Sequence, residues 1–344
     1  MKLIIQIPCF DEADALPTTL AALPRTVEGF DQVEYLVVDD GSSDDTAGIA
    51  RRHGVHHVVR HPQNRGLAAA FMTGIASCLA LGADVIVTTD GDNQYFGGDI
   101  PALVAPVRDG RADFAMGVRP VRDRRYFPLW KSVLTRIGTL LAQCLSGLAV
   151  QDAPSGLRAY SARAARCLRV TGHFSYTMET LVQAGSLKWT LASVPIRVNP
   201  IVRPSRLMSS VPQYIRKSTY ALFRGVALHR PLFGFIVVAA IGALPMILFD
   251  AWHLSRIGAL AWSPVALALG LAGCTAGGGW IWRMRRRAAT MCDNSTAAIG
   301  SNALCGDDFA GLGIDEKEPL ADMRPVASVG MPLAATAGER CAGG

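Results

Sequence analysis

The chain has 344 residues, half of them hydrophobic, a formal net charge of +6 and eight cysteines in no paired spacing. Its length allows one large domain or two ordinary ones. From residue 291 onward eight acids face three bases, leaving about +11 on residues 1–290. A body that basic suits anionic headgroups and phosphorylated substrates, and the lack of a basic-aromatic stripe disfavours nucleic acid.

In chain order, Leu3–Ile7, Glu34–Val38, His56–Arg60, Asp84–Thr89 and Asp113–Gly117 are β-branched apolar runs that read as strands. Helical patterns lie near 14–23, 44–53, 66–81 and 99–108, the second capped by Asp44. Alternating βα units predict an α/β domain, a mainly parallel sheet flanked by helices on both faces.

Each predicted strand ends in polar residues: Pro8-Cys9-Phe10-Asp11-Glu12, Asp39-Asp40-Gly41-Ser42, His61-Pro62-Gln63-Asn64-Arg65, Asp90-Gly91-Asp92-Asn93-Gln94 and Gly117-Val118-Arg119. Parallel sheets bind ligands at that edge, outside the carboxyl ends of the strands. Two carboxylates on a tight turn suit Mg²⁺ or Mn²⁺, which draw remaining ligands from substrate phosphates. Alone, Asp90-Gly-Asp92 serves a solvated turn equally well. Neither a Gly-x-Gly-x-x-Gly nor a Walker sequence is present, which disfavours dinucleotide oxidoreductases and P-loop NTPases.

Taken together, these motifs resemble the inverting family 2 glycosyltransferases of the GT-A fold, and within them the polyprenyl-phosphate branch typified by dolichol-phosphate mannose synthases. The resemblance covers residues 1 to about 220. The opening motif is similar to the family's Pro-x-Tyr-Asn-Glu, with Phe10 for Tyr and Asp11 for Asn. It implies donor contacts from Pro8, Phe10, Glu12, Asp39, Asp40 and Arg65, and metal or diphosphate contacts from Asp90, Asp92 and Gln94. Asp152-Ala-Pro-Ser155-Gly156-Leu-Arg158 looks like the acceptor loop. The segment 174–179 resembles one that places a carboxylate, here Glu179, near the sugar. Arg203 and Ser205 match a loop over the donor phosphates, although Pro204 and Arg206 replace the Gly and Lys of many members.

The implied activity moves a sugar from GDP-mannose or a UDP-hexose to undecaprenyl or dolichyl phosphate. A lipid phosphate is already anionic near neutral pH, its second pKa being about 6, so it needs little help from a base. Metal and arginines such as Arg119 and Arg203 would instead neutralise the departing diphosphate. With a hydroxyl acceptor, Asp92 or Glu179 would serve as base. A saccharide or protein hydroxyl acceptor and a non-catalytic sugar-nucleotide-binding scaffold are the competing readings, and a homo-oligomer is compatible with all three.

Residues 124–147 fit an interfacial helix and an ordinary packing helix equally well. After a juxtamembrane segment, 211–230, two stretches carry no charge: 231–249 over 19 positions and 257–282 over 26. Each is long enough for a ~30 Å hydrocarbon core. Arginines and Lys217 before the first and Arg283, Arg285, Arg286 and Arg287 after the second predict a multi-pass protein of the inner membrane, with the catalytic domain (1–210) and both termini cytoplasmic. Met1-Lys2 leads into a strand rather than a secretory signal. The acidic, Ala- and Gly-rich tail from 288 predicts disorder.

Two signals are discounted. His53, His56, His57 and His61 fit no zinc spacing. The sequon at Asn294 falls on the cytoplasmic side of the predicted topology.

Overall fold

The computed structural model describes residues 1–123, 125–170 and 175–200, and beyond them Arg216, Thr219, Tyr220, Arg224 and Val226. Both expected spans, the tail, Arg203 and Ser205 lie outside the described residues. Among those described, no helix is long and apolar enough to cross a membrane.

Seven strands form one sheet: β1 (Lys2–Cys9), β2 (Gln32–Asp39), β3 (His57–Arg60), β4 (Val85–Thr88), β5 (Phe114–Val118), β6 (Arg158–Ser161) and β7 (Leu191–Pro195). Their order across the sheet is β3-β2-β1-β4-β6-β5-β7. Every pairing is parallel except those of β6, which runs antiparallel to both β4 and β5.

Strand periodicity divides the core into two layers, since successive side chains leave opposite faces. Leu3, Ile5, Ile7, Val85 and Val87 pack with Leu16 and Leu20 of α1 (Leu16–Ala22), Ala47 and Ala50 of α2 (Thr46–Arg52), and Leu103 and Val104 of α4 (Ile100–Arg108). Ile4, Leu36 and Ile86 face the other way. They meet Phe71 and Ile75 of α3 (Leu67–Ala80), Ala142 of α5 (Leu129–Ser146), Ala165 of α6 (Ala162–Cys167) and Leu181 of α7 (Thr177–Ser186).

The reversed direction of β6 builds the site. Arg158, its first residue, lies opposite Thr88 near the end of β4 and opposite Met116 of β5. The segment entering β6, residues 152–157, therefore reaches the edge where β1, β2, β4 and β5 end. The five strand runs expected from sequence all form, within two residues at each end. The two later strands were not expected, and one of them breaks the parallel pattern.

Candidate active site

The loops after β1 and β2 are fastened together. Asp11 takes a left-handed backbone (φ 54°), a conformation Asp and Asn tolerate better than most residues. Its amide donates to Ser42 Oγ at 2.9 Å, and its carboxylate accepts from the Ser43 amide at 2.7 Å. The Glu12 and Ala13 amides donate to Thr46 Oγ1 and Asp44 Oδ2. Phe10 remains exposed at the rim.

Asp39 and Asp40 differ in their partners despite being neighbours. Asp39 is fully buried; its Oδ1 accepts from the Ser42 amide at 2.8 Å. Its Oδ2 lies 3.2 Å from Arg60 Nε but in no aligned hydrogen bond. Asp40 is committed within the protein, with His61 Nδ1 at 2.6 Å, the Arg65 amide at 2.9 Å and the Gly66 amide at 2.8 Å. Burial works against its ionisation, but the His61, Arg65 and Gly66 bonds outweigh that and hold the carboxyl below its ordinary range. The expected donor contact from Asp40 is thus replaced by an anchoring role: it pins the turn that carries Arg65, whose side chain is exposed. His61, which also meets Thr73 Oγ1 at 3.0 Å, belongs to this anchor rather than to a zinc site.

Beyond β4, Asp90 and Asp92 sit together on the acidic turn. The Asp90 carboxyl is pushed up, first by burial and then by the negative charge of Asp92, with Arg119 opposing. Two carboxylates that repel at half-buried positions form a donor set suited to a hard divalent cation. Among the described residues no cluster of three or more His, Cys, Asp or Glu adds to them, so further ligands would come from phosphate and water. Gln94 is held by its backbone: its amide donates to Asp92 Oδ1 at 3.2 Å and its carbonyl accepts from the Asn199 amide at 2.9 Å. Asn199 Nδ2 also reaches the Asn93 carbonyl at 2.9 Å, clamping the turn from the segment after β7.

The 152–158 loop packs onto this turn. Tyr95 hydroxyl bonds Asp90 and accepts the Gly156 amide at 2.8 Å; Tyr176 hydroxyl donates to the Gly156 carbonyl at 2.9 Å. A Cβ on Gly156 would lie 3.1 and 3.2 Å from the two Asp90 oxygens, so glycine is what lets loop and carboxylate meet. Asp152 is fully buried and accepts from Arg119 three times: backbone N at 3.1 Å, Nε at 2.7 Å and Nη2 at 2.9 Å. Ser155 is fully buried, its Oγ without a hydrogen-bond partner among the described residues.

Arg158 corrects the sequence expectation. Its guanidinium is fully buried and donates to the Ser155 and Ala153 carbonyls at 3.0 and 2.9 Å and to Thr180 Oγ1 at 2.5 Å. It shapes the loop from beneath instead of meeting an acceptor phosphate. Glu179, one of the two alternative bases beside Asp92, is also fully buried in the first turn of α7, a poor position for taking a proton from an incoming hydroxyl.

One cation was missed in the sequence. Lys131, half-buried in the first turn of α5, has its ammonium pKa lowered by burial and next by Arg119, with Asp92 opposing. Both Lys131 and Arg119 sit over the Phe127 ring, at 5.6 and 5.5 Å. A lone Lys inside an amphipathic run carries no motif, so only the fold reveals it beside the carboxylates.

An α/β domain with an acidic turn and cations gathered on one sheet edge has its candidate ligand site outside the carboxyl ends of the strands. The model for glycosyl transferase family 2 matches residues 4–169. An uncharacterised glycosyltransferase of Mycobacterium tuberculosis is 32% identical over 202 residues, 57% of this chain and 84% of that protein. The chain belongs to glycosyltransferase family 2 and is a glycosyltransferase.

Two relatives carry more specific names. The dolichyl-phosphate hexose transferase of Haloferax volcanii is 30% identical over 56% of this chain and 81% of its own length. The undecaprenyl-phosphate mannosyltransferase of Micrococcus luteus is 28% identical over 57% and 83%. Among solved structures, glucosyl-3-phosphoglycerate synthase of Mycobacterium tuberculosis, crystallised with Mn²⁺, UDP and glucosyl-3-phosphoglycerate, superposes with a TM-score of 0.51 at 19% identity. It covers 65% of this chain and 78% of its own, and supports the fold alone.

Proposed function

We propose that this chain transfers a sugar from a nucleoside-diphosphate donor to a polyprenyl phosphate at the cytoplasmic face of a membrane. The observation that carries the reading is the cation pair Arg119 and Lys131, both over the Phe127 ring at 5.5 and 5.6 Å, whose charges act on the Asp90–Asp92 turn. It provides positive charge next to where donor diphosphate and acceptor phosphate must meet. Relatives named for lipid-phosphate acceptors, aligned over four-fifths of their length, support the choice of acceptor.

In this reading the donor base lies against Phe10 and Asp39, and the Asp40–His61 anchor presents Arg65. Asp90 and Asp92 would hold Mg²⁺ or Mn²⁺, whose chemistry is to neutralise the leaving diphosphate. Arg119, held by Asp152, keeps a fixed orientation and adds positive charge without reorganising during reaction. The lipid phosphate, anionic above its second pKa of about 6, attacks the sugar without a protein base, in keeping with the burial of Glu179. Arg203 and Ser205 are proposed donor-phosphate contacts, and 231–249 with 257–282 the membrane hairpin.

The test is to incubate membranes containing the full chain with a panel of labelled GDP- and UDP-sugars. One donor should send label into the organic phase as an acid-labile lipid. Label confined to water-soluble saccharide or to protein would overturn the acceptor assignment and leave the family intact.

A further inference from the structure

Helix α5 is inside out. At about 100° per residue, Leu129, Trp130, Val133, Ile137, Leu140 and Leu141 fall within an arc of about 120°. All six are exposed, Leu129 at 63%, Leu140 at 59% and Ile137 at 50%. The opposite side, turned to the domain, is built of hydroxyls. Ser132 Oγ donates to the Val121 carbonyl at 2.7 Å, Ser146 Oγ to the Ala142 carbonyl at 2.6 Å, and Thr139 Oγ1 accepts the Ala153 amide at 3.2 Å. A helix packed on a water-soluble domain normally hides its apolar stripe and shows its polar one. Here the satisfied polar side is within and the greasy side without.

We infer that this face of α5 lies in the headgroup region of a lipid bilayer, as a second membrane contact separate from the 231–282 segment. Three observations select lipid over a protein partner. The helix bears two charged residues, Lys131 and Arg136, both basic, so nothing on it repels anionic headgroups. Trp130 stands on this face in the first turn of the helix, the kind of side chain that settles at a membrane–water boundary. The chain also returns to this layer just before the expected span. Val226 is buried in the core layer that contains Ala142 of α5, five residues before the uncharged stretch beginning at 231.

The consequence for the site is geometric. Lys131 opens the same helix whose outer face meets the lipid, so α5 would hold the Asp92–Arg119–Lys131 cluster at headgroup height. A membrane-embedded phosphate could then enter without its isoprenoid tail leaving the bilayer. This step rests on the lipid-phosphate reading above; the membrane contact itself does not.

The test uses the full chain, carrying a photoreactive benzophenone amino acid at Leu140, reconstituted in phosphatidylcholine–phosphatidylglycerol vesicles. A control carries it at Arg52, on α2 in the opposite layer and equally exposed to solvent. Irradiation should give phospholipid adducts at 140 and none at 52. Cross-links from 140 to residues 231–282, a covalent dimer, or no adduct would each overturn the inference. In parallel, Ile137→Glu combined with Leu140→Glu should cut transfer to long-chain polyprenyl phosphate in vesicles at least tenfold, leaving transfer to a short water-soluble isoprenyl phosphate unchanged. Equal loss on both acceptors would show a folding defect and contradict a surface role. If the unaltered protein used neither isoprenyl phosphate, the acceptor reading would fail while the cross-link still judged the face.

Discussion

Replacing Asp152 with Asn tests whether the Arg119 clamp is as buried as its geometry indicates. Three hydrogen bonds of 2.7–3.1 Å join the pair, whose side chains are 8% and 0% exposed. Asn keeps the shape but turns an amide toward an uncompensated guanidinium. Breaking a buried pair this way costs about 3–5 kcal/mol. For a domain of this size each kcal/mol moves Tm by about 2–4 °C, so the expected fall is roughly 6–20 °C. Asp109 is the control: it binds two arginines, Arg108 and Arg111, but at the surface, with Arg111 66% exposed. Asp109→Asn should leave Tm nearly unchanged, as exposed ion pairs contribute little. Thermal unfolding of the full-length protein in detergent, followed by near-UV circular dichroism, measures both. Asp152→Leu with Arg119→Met, which leaves no stranded charge, should recover most of the lost stability while remaining inactive. An Asp152→Asn protein that melts like the Asp109→Asn control would refute the reasoning.

Three further outcomes concern the acidic turn, the loop packed on it and a buried carboxylate at the opposite end of β5. Asp90→Asn and Asp92→Asn should each lower transfer at least ~100-fold, the scale of one lost electrostatic stabiliser, without lowering Tm, since Asp90 gains by losing its repulsion; chelation should abolish activity and Mg²⁺ or Mn²⁺ restore it, and full turnover in EDTA would contradict the assignment. Gly156→Ala places a methyl 3.1–3.2 Å from both Asp90 oxygens and the Tyr176 hydroxyl, so kcat should fall by about tenfold or more while the fold persists, as small misplacements at a reacting centre do. Asp113 is buried, which opposes ionisation, but Thr190 and Arg163 more than compensate and depress its pKa. Its stabilisation is therefore full above the unfolded value of about 3.9 and is lost as pH falls through the lower folded value. Asp113→Asn should cost about 1–3 kcal/mol at pH 7, and the gap from the unaltered protein should close below about pH 4; a gap constant with pH would argue against it.

Five of the seven strands were legible because β1 to β5 carry their apolar residues in uninterrupted or alternating runs that fit no helix. β6 and β7 were not, since Arg-Ala-Tyr-Ser and Leu-Ala-Ser-Val-Pro have neither signal and become strands through their neighbours. The strand-end residues do assemble on one edge, but sequence could not say which side chains turn inward. Arg158 begins a buried strand, and Asp40 is used up by His61 and two amides. Asn199, which clamps the acidic turn, and Lys131, whose charge acts on it, carry no motif and are placed there only by folding. For α5 the pattern revealed an amphipathic helix, yet periodicity is blind to which side faces the core.

The most direct test of the account offers the purified full chain one labelled sugar nucleotide and two lipids of equal length, a polyprenyl phosphate and the corresponding polyprenol. If the phosphate is the nucleophile, only the first should be glycosylated, with a rate that follows its second ionisation near pH 6 and shows no steep acid limb from a protein carboxylate. Lys131→Ala should raise KM for the phosphate lipid while leaving donor affinity, measured by calorimetry, unchanged. Equal or faster transfer to the polyprenol would contradict the account, because a neutral hydroxyl needs a protein base, and here Glu179 is buried while Asp92 is assigned to the metal.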